Sequence, residues 1–193
     1  MTLRRGFLAE AEREAKRIRA ELGLGPGAPI DVSQIAKHLG IRVIAADELI
    51  DAARLHDLER VQAFAFSACT FDIDGTKVIV VNPLRTPARR ASDIAHELAH
   101  LLLAHQLDEI RSVGGVPFRT CRPDQEEEAT NLGGTLLLPR PLLLSAVRRG
   151  LDDQAIAAQY DVTTEMARFR VNRTGVRRQL RSTRQRRDTG AST

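Results

Sequence analysis

The chain has 193 residues, a formal net charge of +4, a hydrophobic fraction of 42%, two cysteines and no tryptophan. That length suits one domain with at most a small appendage, and the composition supports a packed core of Leu, Ile, Val and Ala. It excludes a disulfide framework, because Cys69 and Cys121 are too few and too far apart and read as reduced thiols. It also excludes a membrane-spanning helix, since no apolar stretch is long enough.

The N-terminus turns charged directly after its first arginines, so no signal-peptide core follows and a cytoplasmic location is expected. Charge is unevenly spread. Nine arginines and no acid lie between Arg168 and Arg187, which leaves the rest of the chain mildly acidic.

Residues 7–22 predict a helix, ended by the glycines and proline of 23–27. Asp31 with Gln34 is a capping-box pattern for a helix over 32–39, closed by Gly40. A short strand is expected over 41–45 and a partly helical stretch over 46–58. Residues 61–71 alternate, with Phe64 and Phe66 on one face. Asp74-Gly75 is a hairpin signal, and 77–81 (KVIVV) is strongly β-prone. Thr86-Pro87 fits the cap and first position of the next helix, expected over 88–105. Residues 106–123 read as an irregular loop. A helix over 124–138 follows, then helical pieces over 142–149, 152–160 and from 164 onward, with the end of the chain disordered.

The helix over 88–105 contains His96-Glu97-Leu98-Ala99-His100. Histidines four apart share one helical face and can hold one metal ion, with Glu97 beside them to act on a water. Three fixed positions of five make a modest pattern, so the metal reading leans on the rest of the chain. A catalytic zinc takes three protein ligands and keeps one open position. His105 falls about 140° further round the helix and is expected to face away. His38 and His56 have no pattern around them.

The better source of a third ligand is the acidic start of the helix over 124–138. Its apolar stripe runs through Ala129, Leu132, Gly133 and Leu136. Glu126 lies at the edge of that stripe, Glu128 about a right angle away and Glu127 nearly opposite. Glu126 is preferred, Glu128 is the next candidate, and Glu127 suits a solvated first turn. Ala129 and Gly133 are small enough to let two helices approach closely.

These segments together resemble the ImmA/IrrE family of bacterial and phage zinc metallopeptidases. The matching residues are Ile30-Asp31, Ile35-Ala36, Leu39-Gly40-Ile41 and Val43, then Val81-Asn82, Ala95 to His100, and Glu126, Ala129 and Leu136 to Pro139. The resemblance covers most of 28–172. It implies one Zn2+ per chain held by His96, His100 and Glu126, with Glu97 catalytic. It also implies an α+β minimal, gluzincin-like zincin, with a small antiparallel sheet, the histidine helix and a C-terminal helix-turn-helix-like part. Thr130 stands where the family has Asn or Asp bonded to a ligand histidine, and Asn131 next door can stand in for it. Leu132 replaces a Phe, and Gly133-Gly134 replaces two alanines.

The expected organisation is an N-terminal helix and linker over 1–27, a metallopeptidase domain over 28–139, a helix-turn-helix-like part over 140–174 packed on it, and a basic disordered tail over 175–193. The run from Ile156 to Val171 has helix-turn-helix spacing, with Asp161 where relatives have Gly. Arg170, Arg173, Arg177 and Arg178 are candidates for phosphate contact. Packing of these helices on the core is preferred to sequence-specific DNA binding, while non-specific nucleic-acid affinity fits the arginines. The single tyrosine, Tyr160, is expected to pack in a helical pair.

The resemblance implies an endopeptidase whose substrate is a helix-turn-helix repressor, in stress or mobile-element regulation. The chain ends too soon after residue 172 for the sensory domain some relatives carry, so an external trigger is expected. The rival functions are a peptidase-fold regulator that binds DNA or a partner protein without cutting, and one half of a toxin–antitoxin-like module.

Overall fold

The computed structural model describes residues 3–61, 66–105, 110–113, 116–119 and 122–182. In chain order the elements are α1 (Phe7–Glu21), α2 (Val32–His38), β1 (Arg42–Ala45), a 3-10 turn (Ala46–Glu48), α3 (Ala52–Val61), β2 (Ala68–Ile73) and β3 (Thr76–Val81). Then follow α4 (Pro87–Leu102), β4 (Ile110–Val113), β5 (Val116–Arg119), α5 (Pro123–Leu137), α6 (Arg140–Arg148), α7 (Asp153–Gln159) and α8 (Thr164–Thr174). The fold is α+β, as the sequence implies.

The three-stranded sheet has the order β1-β3-β2. Asp74 and Gly75 both take positive φ, 51° and 78°, which is the primed turn that joins β2 to β3 as an antiparallel hairpin. The sheet is nevertheless mixed and not antiparallel as expected, because β1 pairs parallel with β3. A hairpin turn dictates direction only for β2 and β3. β1 is connected to its partner β3 through the 3-10 turn, α3 and β2, a connection long enough for a parallel crossover.

Two other expectations change here. Val61 closes α3, and regular pairing of β2 starts at Ala68; Phe64 falls within 62–65, outside the described residues. The stretch expected to be an irregular loop contains an antiparallel pair, β4 with β5, in register from Ile110↔Arg119 to Val113↔Val116. Gly114-Gly115 between two short alternating runs was the signal for it. Cys121 lies outside the described residues.

At α2 the cap closes on Ser33 and not Gln34, since the Asp31 carboxylate accepts from the Ser33 backbone N–H at 2.9 Å and from its hydroxyl at 2.6 Å. Gly40 ends that turn at φ 68°, a conformation open to glycine.

α4 is the central element, covered by the sheet on one side and by α5 on the other. One core cluster joins Phe7, Ala11, Ala15 and Ile18 of α1 to Leu98 and Ala99 of α4 and to Ala129, Leu132 and Leu136 of α5. Helix α1 is thereby part of the same core as the histidine helix. Each large aliphatic side chain sealed there contributes about 1.5–3 kcal/mol. A second cluster joins Ala95, Leu137 and Leu138 to Leu142, Leu143, Ile156, Tyr160, Val162, Ala167 and Val171, so α6, α7 and α8 pack onto the core. Residues 176–182 are helical and Val176 is buried, which corrects a disordered tail beginning at 175. Residues 183–193 lie outside the described residues.

Candidate metal centre

Helix α4 starts where its sequence directs. The Thr86 hydroxyl accepts from Arg89 N at 3.3 Å and Pro87 occupies the first turn. No glycine or proline interrupts the helix beyond it, so His96 and His100 emerge one turn apart with their Nε2 atoms 3.0 Å from each other.

The third group arrives from α5. A Cβ on Gly133 would lie 2.8 Å from the Ala95 carbonyl oxygen, so only glycine allows α5 to lie this close to α4 just before His96. That approach carries Glu126, two turns upstream, onto the histidines. Its Oε2 is 3.2 Å from His96 Nε2 and its Oε1 is 3.2 Å from His100 Nε2. One ligand atom from each of the three residues lies within 4.8 Å of the others. Ligand atoms at about 2.1 Å from a tetrahedral zinc stand roughly 3.4 Å apart, so the two imidazoles and the carboxylate fit such an ion by spacing and by donor chemistry. Hydrogen bonds from His100 and His96 hold the Glu126 carboxyl well below the usual carboxylate range.

The three adjacent glutamates go three ways. Glu126 meets the histidines, Glu127 pairs with Arg173 of α8 at 3.4 Å, and Glu128 reaches His105 at 3.3 Å.

Glu97 turns to the other side of α4, toward the sheet, and is only 2% exposed. The Thr70 hydroxyl of β2 donates to its Oε2 at 2.6 Å. Sequence reasoning missed Thr70. Its inward position on a strand next to the motif helix was the only available signal. A cleft of about 320 Å³ opens beside this group, lined by Ser67, Ala68, Asp93, His96, Glu97 and Thr130. Burial pushes the Asp93 carboxyl up, its Oδ1 accepts from Arg89 Nε at 2.9 Å, and its Oδ2 is buried without a hydrogen-bond partner.

A family model described as the IrrE N-terminal-like domain, peptidase M78, matches residues 36–172. The chain belongs to this family. In three dimensions it is similar to a Mycobacterium tuberculosis transcriptional regulator, with a TM-score of 0.55 and 21% sequence identity, over 84% of this chain and 46% of that one. At that identity the likeness is one of fold, and the chain spans less than half the regulator's length. No curated protein matches the chain.

Within this M78 domain, the remaining candidate residues fall in different places. Thr130 is exposed on the cleft wall. Asn131 is engaged elsewhere, its amide donating to Glu127 O at 2.8 Å and its carbonyl accepting from Arg173 Nε at 2.9 Å. His105 does not face away from the pair. Helix α4 ends at Leu102 and Ala104 takes a left-handed φ of 51°, which turns the chain back. His105 Nδ1 then lies 3.0 Å from His100 Nδ1. Burial holds its imidazole below the ordinary histidine pKa.

Arg170 is a core residue. It donates to the Leu138 carbonyl at 3.1 Å and to Glu12 at 2.9 Å, so it is removed from the expected phosphate-binding surface. Arg173 is held by Asn131 and Glu127, and Arg177 pairs with Asp153 at 2.9 Å. Arg178 is exposed. Tyr160 is buried and accepts from Arg149 at 3.2 Å. Asp161 has φ 50°, a conformation Asp tolerates better than most residues. No helix among the described residues is long and apolar enough to cross a membrane.

Proposed function

We propose that this chain is a zinc-dependent endopeptidase in which His96, His100 and Glu126 hold the metal and Glu97 is the general base and acid. The observation that carries this reading is the convergence of two Nε2 atoms and one carboxylate within 3.0–3.2 Å, beside a buried carboxylate that borders an open cleft. A bound zinc ion supplies Lewis-acid polarisation and makes water acidic enough to deprotonate near neutral pH.

The protein's own part is positional. Glu97, steered by Thr70, accepts the proton of the attacking water and returns it to the leaving amine. Glu126, a carboxylate ionised at neutral pH, would supply the negatively charged ligand beside two neutral imidazoles. Strand β2 is an edge strand, and Ser67 and Ala68 at its start line the cleft. An extended peptide adding to that edge would lie across Glu97 and His96. This favours a substrate cleaved in an unstructured segment. By family resemblance that substrate is a helix-turn-helix repressor.

The rival reading is a peptidase-fold regulator that binds without cutting. Thr130 favours it, because a neutral hydroxyl stands exposed where the family pattern has an amide or carboxylate. Metal analysis and cleavage separate the two. Wild-type protein is expected to hold about one zinc per chain, lost in His100→Ala. Incubated with a proteome-derived peptide library, it is expected to generate new termini, while Glu97→Gln keeps its zinc and generates none. Wild type that cannot be loaded with zinc, or Glu97→Gln cutting at the wild-type rate, overturns the peptidase reading.

A further inference from the structure

Beyond the three ligands, a second histidine stands directly behind the first. Nε2 of His100 faces Glu126 and His96, while its Nδ1 faces Nδ1 of His105 at 3.0 Å. On its far side, His105 Nε2 faces Glu128 Oε2 at 3.3 Å. The other oxygen of Glu128 accepts from Arg4 Nε at 2.8 Å. Arg4 is itself held, gripping both oxygens of Glu10 at 2.6 Å, with its guanidinium 5.0 Å from the Phe7 ring centroid. The side chains of His105 and Glu128 are 6% and 17% exposed, so bulk water competes weakly for these bonds.

Proton accounting gives every group in this line one role. A metal at His100 Nε2 needs that lone pair, which puts the hydrogen on Nδ1. His100 Nδ1–H then donates to His105 Nδ1. That makes Nδ1 of His105 the acceptor and leaves its hydrogen on Nε2, where Glu128 accepts it. The carboxylate at the end is charge-compensated by Arg4. No member is left with two donors or two acceptors face to face. The arrangement is the carboxylate–histidine support of metal ligands, lengthened by one imidazole.

We infer that His105, anchored by Glu128, is a positioning residue that fixes the ring orientation and tautomer of His100 for metal binding. The inference rests on the zinc reading of His96, His100 and Glu126. Sequence spacing alone could not have suggested it, because His105 reaches His100 only through the left-handed turn at Ala104. The same line ties the N-terminal turn ahead of α1 to the metal centre, through Arg4.

The test is zinc affinity by competition with a chromophoric chelator, for wild type, His105→Phe, Glu128→Gln and His38→Gln. His38 is a control, because it pairs with Glu21 at 2.8 Å away from the centre. Loss of the support is expected to weaken zinc binding by about 10- to 100-fold in His105→Phe and Glu128→Gln, with His38→Gln unchanged. A purely structural role would not set tautomers, so long-range 15N–1H NMR of the zinc-loaded protein provides the second measurement. Wild type is expected to show His100 protonated at Nδ1 and His105 at Nε2. Glu128→Gln is expected to lose the fixed His105 tautomer. Zinc affinity within about twofold of wild type in both variants, or His105 protonated at Nδ1 in the loaded wild type, overturns the inference and leaves the zinc centre standing. Wild type that binds no zinc overturns both.

Discussion

Oγ1 of Thr70 lies 2.6 Å from Oε2 of Glu97, and the hydroxyl is the donor. This contact joins the edge strand of the sheet to the motif helix at the one carboxylate proposed to move protons. A general base acts only when its lone pair is aimed, so the bond has a kinetic consequence. Thr70→Val keeps the shape of the side chain and removes that donor. Zinc content is expected to stay at the wild-type level while kcat for peptide cleavage falls about tenfold or more, the equivalent of roughly 1.4 kcal/mol of barrier. Thr70→Ser, which restores a hydroxyl, is expected to recover most of the rate. Equal rates in wild type and Thr70→Val would remove Thr70 from the machinery.

Gly133 sets the distance between the two helices that bear the three proposed metal ligands. Its added Cβ would meet the Ala95 carbonyl at 2.8 Å and His96 N at 3.0 Å, and both are backbone atoms that cannot swing away. Gly133→Ala is expected to destabilise the fold by about 1–3 kcal/mol. For a domain of this size each kcal/mol lowers Tm by roughly 2–4 °C, which calorimetry resolves. Zinc affinity is expected to fall with it, because α5 carries Glu126.

Asp93 makes a pH-dependent prediction with a definite sign. Burial raises its folded-state pKa above the ordinary value, and Oδ2 is buried with no hydrogen-bond partner. Its contribution to stability is therefore fully present below the ordinary carboxylate pKa, about 4, and is lost as pH rises through the higher folded-state value. At neutral pH, above the ordinary carboxylate pKa, that contribution is diminished. Asp93→Asn is expected to raise Tm at pH 7 relative to wild type, with the advantage shrinking as pH approaches 4. Parallel Tm curves across that range would contradict it.

Arg170 is buried at 2% side-chain exposure against Glu12 at 26%, and Glu12 also accepts from the Arg140 backbone N–H. Burial lowers the Arg170 pKa, while Glu12 supports the charged form. Removing the carboxylate strands a buried cation. Glu12→Ala is expected to cost about 2–4 kcal/mol, more than Arg170→Met, which removes the charge and keeps the volume. Heparin retention of Arg170→Met is expected to equal that of wild type, since the guanidinium does not face solvent. A marked loss of retention would return Arg170 to the nucleic-acid surface.

The sequence by itself carried the local features. The caps at Asp31 and Thr86, the Asp74-Gly75 turn, the spacing of His96 and His100, and the preference for Glu126 within its helix all depend on neighbours a few residues apart. Backbone geometry at that range is nearly the same in every protein. The hairpin over β4 and β5 was legible in the same way, through Gly114-Gly115, but the length of the segment argued for a loop.

Tertiary structure decided what depends on chain reversals and on partners far away in sequence. β1 became a parallel strand because its connection, not its composition, sets its direction. Arg170 moved from the expected phosphate surface to the core because Glu12, 158 positions earlier, faces it. Thr70 met Glu97 across 27 positions, and one left-handed residue, Ala104, brought His105 back onto His100. A periodic pattern shows which face of an element a residue occupies. Only the packing of that element against another determines which atom it finds there.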